Sequence, residues 1–304
     1  MSPDGAENFG GLEPVSINKT MNIKAFGGKP IHVEKFNSAD EVATVSANRK
    51  ITDFNFDDME KKLNDGADSG VKSMDEARNL LRFGYEPTVE KLKASAKATV
   101  SGDKKRISFF NDVVGYQPVV PLALMGVPNS MVNMAMKPIK AKVITVVYEA
   151  TAACSYSARE LEEAGQKFLG ALLDLEAQGY KFNILVSQSY WNRSDGADML
   201  LVRIKNSNTP LDLKRMSFPL THPAFFRAIG FDWYSKTPGG KYRFGYGHSI
   251  ARDFSEKVVN RGFEEILGEK CVVFSATKIL QDSTDHIQAV VTGKDSNIKT
   301  GDDD

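Results

Sequence analysis

Cys154, Ser155 and Ser157 stand together in the segment TAACSYS, between an apolar run and a helix-forming one. Two chemistries suit a thiol and hydroxyls at that spacing. A cysteine becomes a nucleophile when a base and an orienting group lie beside it. Of the four histidines, only His222 sits in a suggestive setting, between Thr221 and Pro223. Hydroxyls at a helix start can instead hold an anion, because free amides and the helix dipole favour negative charge there. The residues favour plainer readings: a buried structural Cys154, a His222 that belongs to a helix start capped by Thr221, and Ser157 as a cap worth about 1 kcal/mol. Ser155 and Ser157 therefore form a weak candidate anion site, and no residue is a candidate catalyst.

The elements that position this loop read clearly. KVITVVYEA is a buried strand and SARELEEAGQKFLGALLDLEAQG a helix with a Ser157–Glu160 capping box and a Gly179 stop; YKFNILVSQS is a second strand. Strand, crossover helix and strand make the unit of a parallel α/β sheet, whose sites lie in the loop after the first strand. The helix carries Leu161, Ala164, Phe168, Ala171, Leu172 and Leu175 as a buried stripe. Central strands are expected at 142–149, 180–188, 198–205 and 271–275, with helices 157–178 and 249–267 on the faces.

Outside that unit, IHVEKF (31–36) reads as a strand, and Ser38 and Ser73 each open a helix. Pro87 starts another helix, and ISFFNDVVG (107–115) is a strand. The segment 119–138 carries three prolines and four methionines and is expected to be a short helix between apolar turns. It is either an adaptable interface or a buried loop over the sheet edge. LDLKRMSFPL (211–220) is expected to be extended, THPAFFRAIG (221–230) a short helix, and HIQAVV (286–291) a last strand. Residues 1–30 are expected to be a disordered or extended arm, 31–106 a helical extension, 107–292 the α/β core and 293–304 an acidic disordered tail.

A second constellation lies between Arg193 and Arg261. Twelve basic residues face six acidic ones there, interleaved with aromatic rings. Cations that follow a backbone and rings that stack on bases are the ingredients of single-stranded nucleic-acid binding. The residues that would serve it are Arg227, Trp233, Lys236, Lys241, Tyr242, Arg243, Phe244, Tyr246 and Arg252. In KYRFGYG, however, cations and rings alternate and fall on opposite faces of a strand, which favours core packing with a solvated basic face.

Composition narrows the function classes. The 304 residues carry 39 basic and 39 acidic side chains, so no global field draws the chain to nucleic acid or membrane. Two cysteines and four scattered histidines do not make a zinc site. There is no phosphate-binding glycine loop, no HExxH and no GxSxG. The first 20 residues are polar and no apolar run approaches the ~18 residues of a membrane span. A soluble intracellular protein without cofactor or metal is expected.

Four segments together resemble a family of proteins encoded by tailed bacteriophages: SMDEARNLLRFGY (73–85), DVVGYQPVVPLALMGVPNSM (112–131), SYSARELEEAGQKFLGALLDLEAQGY (155–180) and LVRIKNSNTPLDLKRMSFPLTHPAFFRAIGF (201–231). The resemblance implies a viral gene product at work in the cytoplasm of an infected bacterium or in the virion, and no particular activity. The middle region is also similar to the core of a von Willebrand factor A-type domain. Those domains place Asp-x-Ser-x-Ser after the first strand to hold magnesium. The two serines match Ser155 and Ser157, but the Asp position is Ala153, and a hard dication needs carboxylate oxygen. The expected fold is therefore a mostly parallel sheet flanked by helices, von Willebrand A-like or Rossmann-like. The expected function is non-enzymatic binding of a phage or host protein, with single-stranded DNA binding through 193–261 and an enzyme site at 150–157 as alternatives.

Overall fold

The computed structural model describes residues 17–49, 63, 69–95, 105–138, 142–193, 196–237 and 248–293. Its centre is a six-stranded sheet. The strands are β1 (Ile17–Ile23), β2 (Lys29–Phe36), β6 (Val143–Glu149), β7 (Lys181–Asn192), β8 (Gly196–Lys205) and β9 (Cys271–Ser275), in the order β1-β2-β8-β7-β6-β9. Three of its pairings are parallel (β2–β8, β6–β7, β6–β9) and two antiparallel (β1–β2, β7–β8).

β6 and β7 are adjacent and parallel, joined by helix α5 (Ala158–Ala177). The cause is the one the sequence displays. Ile144, Val146, Val147 and Tyr148 are buried on both faces of β6, so both faces need a cover. Helix α5 supplies one cover with Leu161, Phe168, Leu172 and Leu175. It packs so closely on helix α6 (Leu213–Thr221) that a Cβ on Gly165 would lie 2.0 Å from the carbonyl oxygen of Leu220. The other cover is helix α8 (Glu256–Leu267), whose Val259 and Phe263 pack on Val147, Leu185 and Leu201.

The remaining helices crowd the α5 side: α1 (Ala39–Asn48), α2 (Met74–Phe83), α3 (Glu86–Ser95), the run from Phe225 through α7 (Phe231–Ser235), α9 (Ala276–Ile279) and α10 (Thr284–Thr292). A second sheet, in the order β3-β5-β4, is built from β3 (Lys105–Asp112), β4 (Gln117–Pro118) and β5 (Met131–Pro138), with the short helix α4 (Val120–Leu124) between β4 and β5.

Several expectations are corrected. The strand expected at 198–205 is present, but it runs antiparallel to β7, with Asn192 opposite Gly196. Gly196 opens β8 at φ 93°, where a Cβ would strike the Pro30 carbonyl at 1.9 Å. Of the arm expected to be disordered or extended, 17–23 is extended, as a paired edge strand, and Phe26 is buried. The expected 31–106 extension is no appendage: β2 lies inside the sheet between β1 and β8.

Residues 211–220 are helical rather than extended, because Asp212 caps Lys214 and Arg215 and burial of Met216 through Thr221 overrides Pro219. Thr221 closes that helix instead of opening the next. Residues 286–291 are also helical. Ser283 caps His286, Gly293 stops the chain at φ 71°, and Ile287 and Val291, four apart, pack into the α5 core. The segment 131–138 forms β5 rather than an apolar turn.

Candidate functional site

The loop after β6 is held from within. Ser157 Oγ accepts the Glu160 amide, while the Glu160 carboxylate accepts the Ser157 amide at 2.7 Å and its hydroxyl at 2.8 Å. That carboxylate occupies the helix start where an anion would sit, and these bonds hold its pKa below the usual value. Ser155 is exposed. Arg227 is buried and its Nη2 donates to the carbonyls of Ala153 (3.2 Å) and Tyr156 (2.6 Å). A fixed guanidinium at Ala153 opposes a second cation in the same loop.

Cys154 is exposed rather than buried, correcting the structural reading, because its loop lies at the open end of the sheet. Cys271 is the buried thiol, its pKa pushed up to about 12 chiefly by burial. His222 caps the end of α6, accepts the Ala224 amide at Nδ1 (3.2 Å) and stacks on Phe218. Burial lowers its pKa to about 4, with the charge of Glu76 pulling the other way. The pocket between Tyr148, Ala150, Leu161 and His222 holds about 20 Å³, room for one water.

A group that sequence reasoning missed lies one residue before that loop. Glu149 ends β6 on the α8 side and is fully buried. Its Oε1 accepts the Ser189 hydroxyl at 2.5 Å and the Ser249 hydroxyl at 3.3 Å. Burial raises its pKa, against the hydroxyls of Ser189, Ser187 and Thr151 and the Ser189 amide, which favour the charged form. This cluster ties the ends of β6 and β7 to the turn at Ser249. Its one signal in the sequence is an acid closing an apolar run.

Of the four basic and aromatic candidates among the described residues, three are internal. Trp233 is buried, and its Nε1 donates to Glu34 Oε2 at 2.8 Å; Arg49 takes both oxygens of the same carboxylate. Lys236 pairs with Asp232 at 2.7 Å and donates to the Ser46 carbonyl at 2.9 Å. Phe225, Phe226 and Tyr234 are core residues, and Tyr190 stacks on Tyr234 with centroids 4.2 Å apart. Lys205 is buried against Glu176, 2.7 Å away. Arg193 pairs in two places with Asp253, which also accepts from Trp191 and lies close to His248. The Arg193 hydrogen bonds hold the Asp253 carboxyl far below the usual range. Of the residues expected to touch nucleic acid, Arg252 is exposed. Lys241, Tyr242, Arg243, Phe244 and Tyr246 lie outside the described residues.

The surface feature that stands out is the second sheet. Most of the exposed large apolar side chains among the described residues lie between Phe109 and Met134: Leu124 is 83% exposed, Val114 74%, Met125 68% and Phe109 64%. Yet the backbone there is ordered into structure. The Val119 amide donates to the Ser130 carbonyl at 2.6 Å, Tyr116 to Val132 at 3.0 Å, and Asn133 Nδ2 to the Val114 carbonyl at 3.1 Å. No residue from Val113 to Met136 is charged. Of the two readings of the methionine-rich segment, interface or buried loop, exposure of Met125 and Met134 selects the surface.

Among the described residues no group of three or more His, Cys, Asp or Glu could hold a metal, and no helix is long and apolar enough to cross a membrane. The architecture is thus that of an α/β protein with a mostly parallel central sheet and a second, three-stranded sheet whose described apolar side chains are largely exposed. The chain belongs to the family described as Domain of unknown function (DUF7192), whose model matches residues 18–289. No curated protein and no solved structure matches it.

Proposed function

We propose that this chain is a non-enzymatic binding protein that docks a protein partner through the apolar sheet at 105–138. The observation that carries this reading is the cluster of exposed apolar side chains between Phe109 and Met134, with no charged residue from Val113 to Met136. Contiguous apolar surface on a soluble protein marks an interaction site, and methionine and aromatic residues are the types enriched in interface cores. The resemblance to phage-encoded proteins supports an accessory role in an infected bacterium, with a phage or host protein as the partner. The parallel β6–α5–β7 unit, with Ser155 and Ser157 in the loop between β6 and α5, supports a von Willebrand A-like core that serves as scaffold. In that loop Arg227 supplies the positive charge.

The test is a photo-cross-linking side chain placed at Leu124 or Val114, with Glu163 on the exposed face of α5 as control, in infected cells. Protein adducts from the first two positions and none from the third are expected. Equal labelling at all three positions, or none at any, rejects the docking surface.

A further inference from the structure

Among the described residues the second sheet has two long edges without a strand beside them, the outer side of β3 and the part of β5 beyond its two-residue pairing with β4; only the first runs the full length of its strand. β3 pairs with β5 over its whole length, Lys105 opposite Pro138 through Asp112 opposite Met131, without a register shift. Among the described residues no strand lies on its outer side. An eight-residue, bulge-free, apolar-centred edge is a template for another strand, and proteins that leave such an edge unpaired usually interrupt it.

Resting on the docking reading, we propose that the occupant of this edge is a second copy of the same chain, pairing β3 with β3 antiparallel across a two-fold axis. The residue order along KRISFFND carries the inference. In a strand, successive residues point their amides and carbonyls to opposite sides. A strand can therefore pair antiparallel with its own copy only in registers that set residues of like parity opposite each other. Centring the axis on Phe109 satisfies this condition. Phe109 then meets Phe109, position 108 meets Phe110, position 107 meets Asn111, and position 106, an arginine, falls opposite Asp112 of the second copy. By symmetry that opposite-charge pair occurs twice. Parallel pairing would set like against like.

The surroundings permit the same contact. A two-fold interface brings each residue near the axis toward its own image, so charges there repel. The charge-free stretch from Val113 to Met136 presents no such repulsion. Phe109, 64% exposed, is the residue on the axis, and aromatic pairs directly opposite each other are among the favourable cross-strand contacts. The pairing would join the two three-stranded sheets into one and cover the β3 edge of each copy.

Sedimentation velocity of the full chain over a range of concentrations tests this, with circular dichroism to establish that each variant is folded. The wild type should sediment with twice the mass of one chain. Asp112→Arg, which sets like charges opposite at two sites, should weaken association by about tenfold. Arg106→Asp should do the same, and the double exchange Arg106→Asp with Asp112→Arg should restore it. Rescue by the double exchange supports antiparallel self-pairing, because a general charge effect or another partner would not produce it. A chain that stays monomeric at every concentration, or a folded double variant that associates no better than the singles, overturns the proposal. If the chain is monomeric but Leu124 still cross-links to another protein, the docking reading stands and self-pairing fails. If it is monomeric and Leu124 cross-links to nothing, both fail.

Discussion

The two sheets of this protein treat apolar side chains in opposite ways. In the six-stranded sheet each apolar face has a cover, α5 and its neighbours on one side and α8 on the other, and the polar groups that enter the core find partners: Glu34 between Trp233 and Arg49, Lys205 against Glu176, Asp232 between Ser46 and Lys236. In the three-stranded sheet the described apolar side chains are largely exposed, and no charge accompanies them between Val113 and Met136. The contrast separates a covered sheet from an exposed one. Burial of apolar area stabilises the chain only where a second layer removes it from water, at roughly 25 cal/mol per Å². Side chains left uncovered contribute nothing to folding, and they have that same free energy available for a partner.

The contrast can be broken most directly in the covered sheet. Phe168 is fully buried between Tyr148 and Phe274, with ring centroids 5.0 and 5.7 Å away. Phe168→Ala should cost about 3–5 kcal/mol in urea unfolding; a loss below 1 kcal/mol, as at an exposed site, would remove the distinction. Acid sharpens the same point. The unfolded chain protonates His222 near its ordinary 6.5, whereas the folded chain resists protonation down to about 4. The stability His222 contributes is thus fully present above pH 6.5 and is lost as pH falls toward 4, on the order of 3 kcal/mol when complete. His222→Asn should flatten that part of the profile, and a parallel pH dependence in both proteins would show that His222 is not the group responsible. The smallest effect is expected on the uncovered sheet. Leu124→Ser should move the urea midpoint by no more than the equivalent of about 0.5 kcal/mol, and a larger change would place Leu124 in a core.

Much of the central sheet was legible because its signals are local. The apolar run of β6 and the Ser157–Glu160 box and apolar stripe of α5 lie within one stretch of chain, as do β7 and the CVVFS of β9. Where the reading failed, two local signals competed. HIQAVV has strand-like residues, but Ser283 and Gly293 at its ends and the seat of Ile287 and Val291 against α5 make it a helix. Pro219 argued against a helix that burial nonetheless favours. The candidate sites were less legible still. Trp233, Lys236 and Arg227 have the side chains of a nucleic-acid surface, and their partners at Glu34, Asp232 and Ala153 come from distant parts of the chain. Glu149, at the end of an apolar run, could be recognised as an acid in a buried setting, but its hydroxyl partners at Ser189 and Ser249 could not.

What the amino-acid order by itself determined is the set of elements whose caps, stops and periodicity lie within a few residues: the β6–α5–β7 unit, the helices opened by Ser38 and Ser73, and a loop without the carboxylate a dication needs. Only the tertiary structure decided which apolar segments are covered, that β8 returns antiparallel, and that Lys205, Arg227 and Lys236 are turned to internal partners. The physical reason is that burial and ion pairing are properties of surfaces brought together from far along the chain. Local sequence states that a segment is apolar or charged. Whether another layer lies against it is settled only when the whole chain has folded.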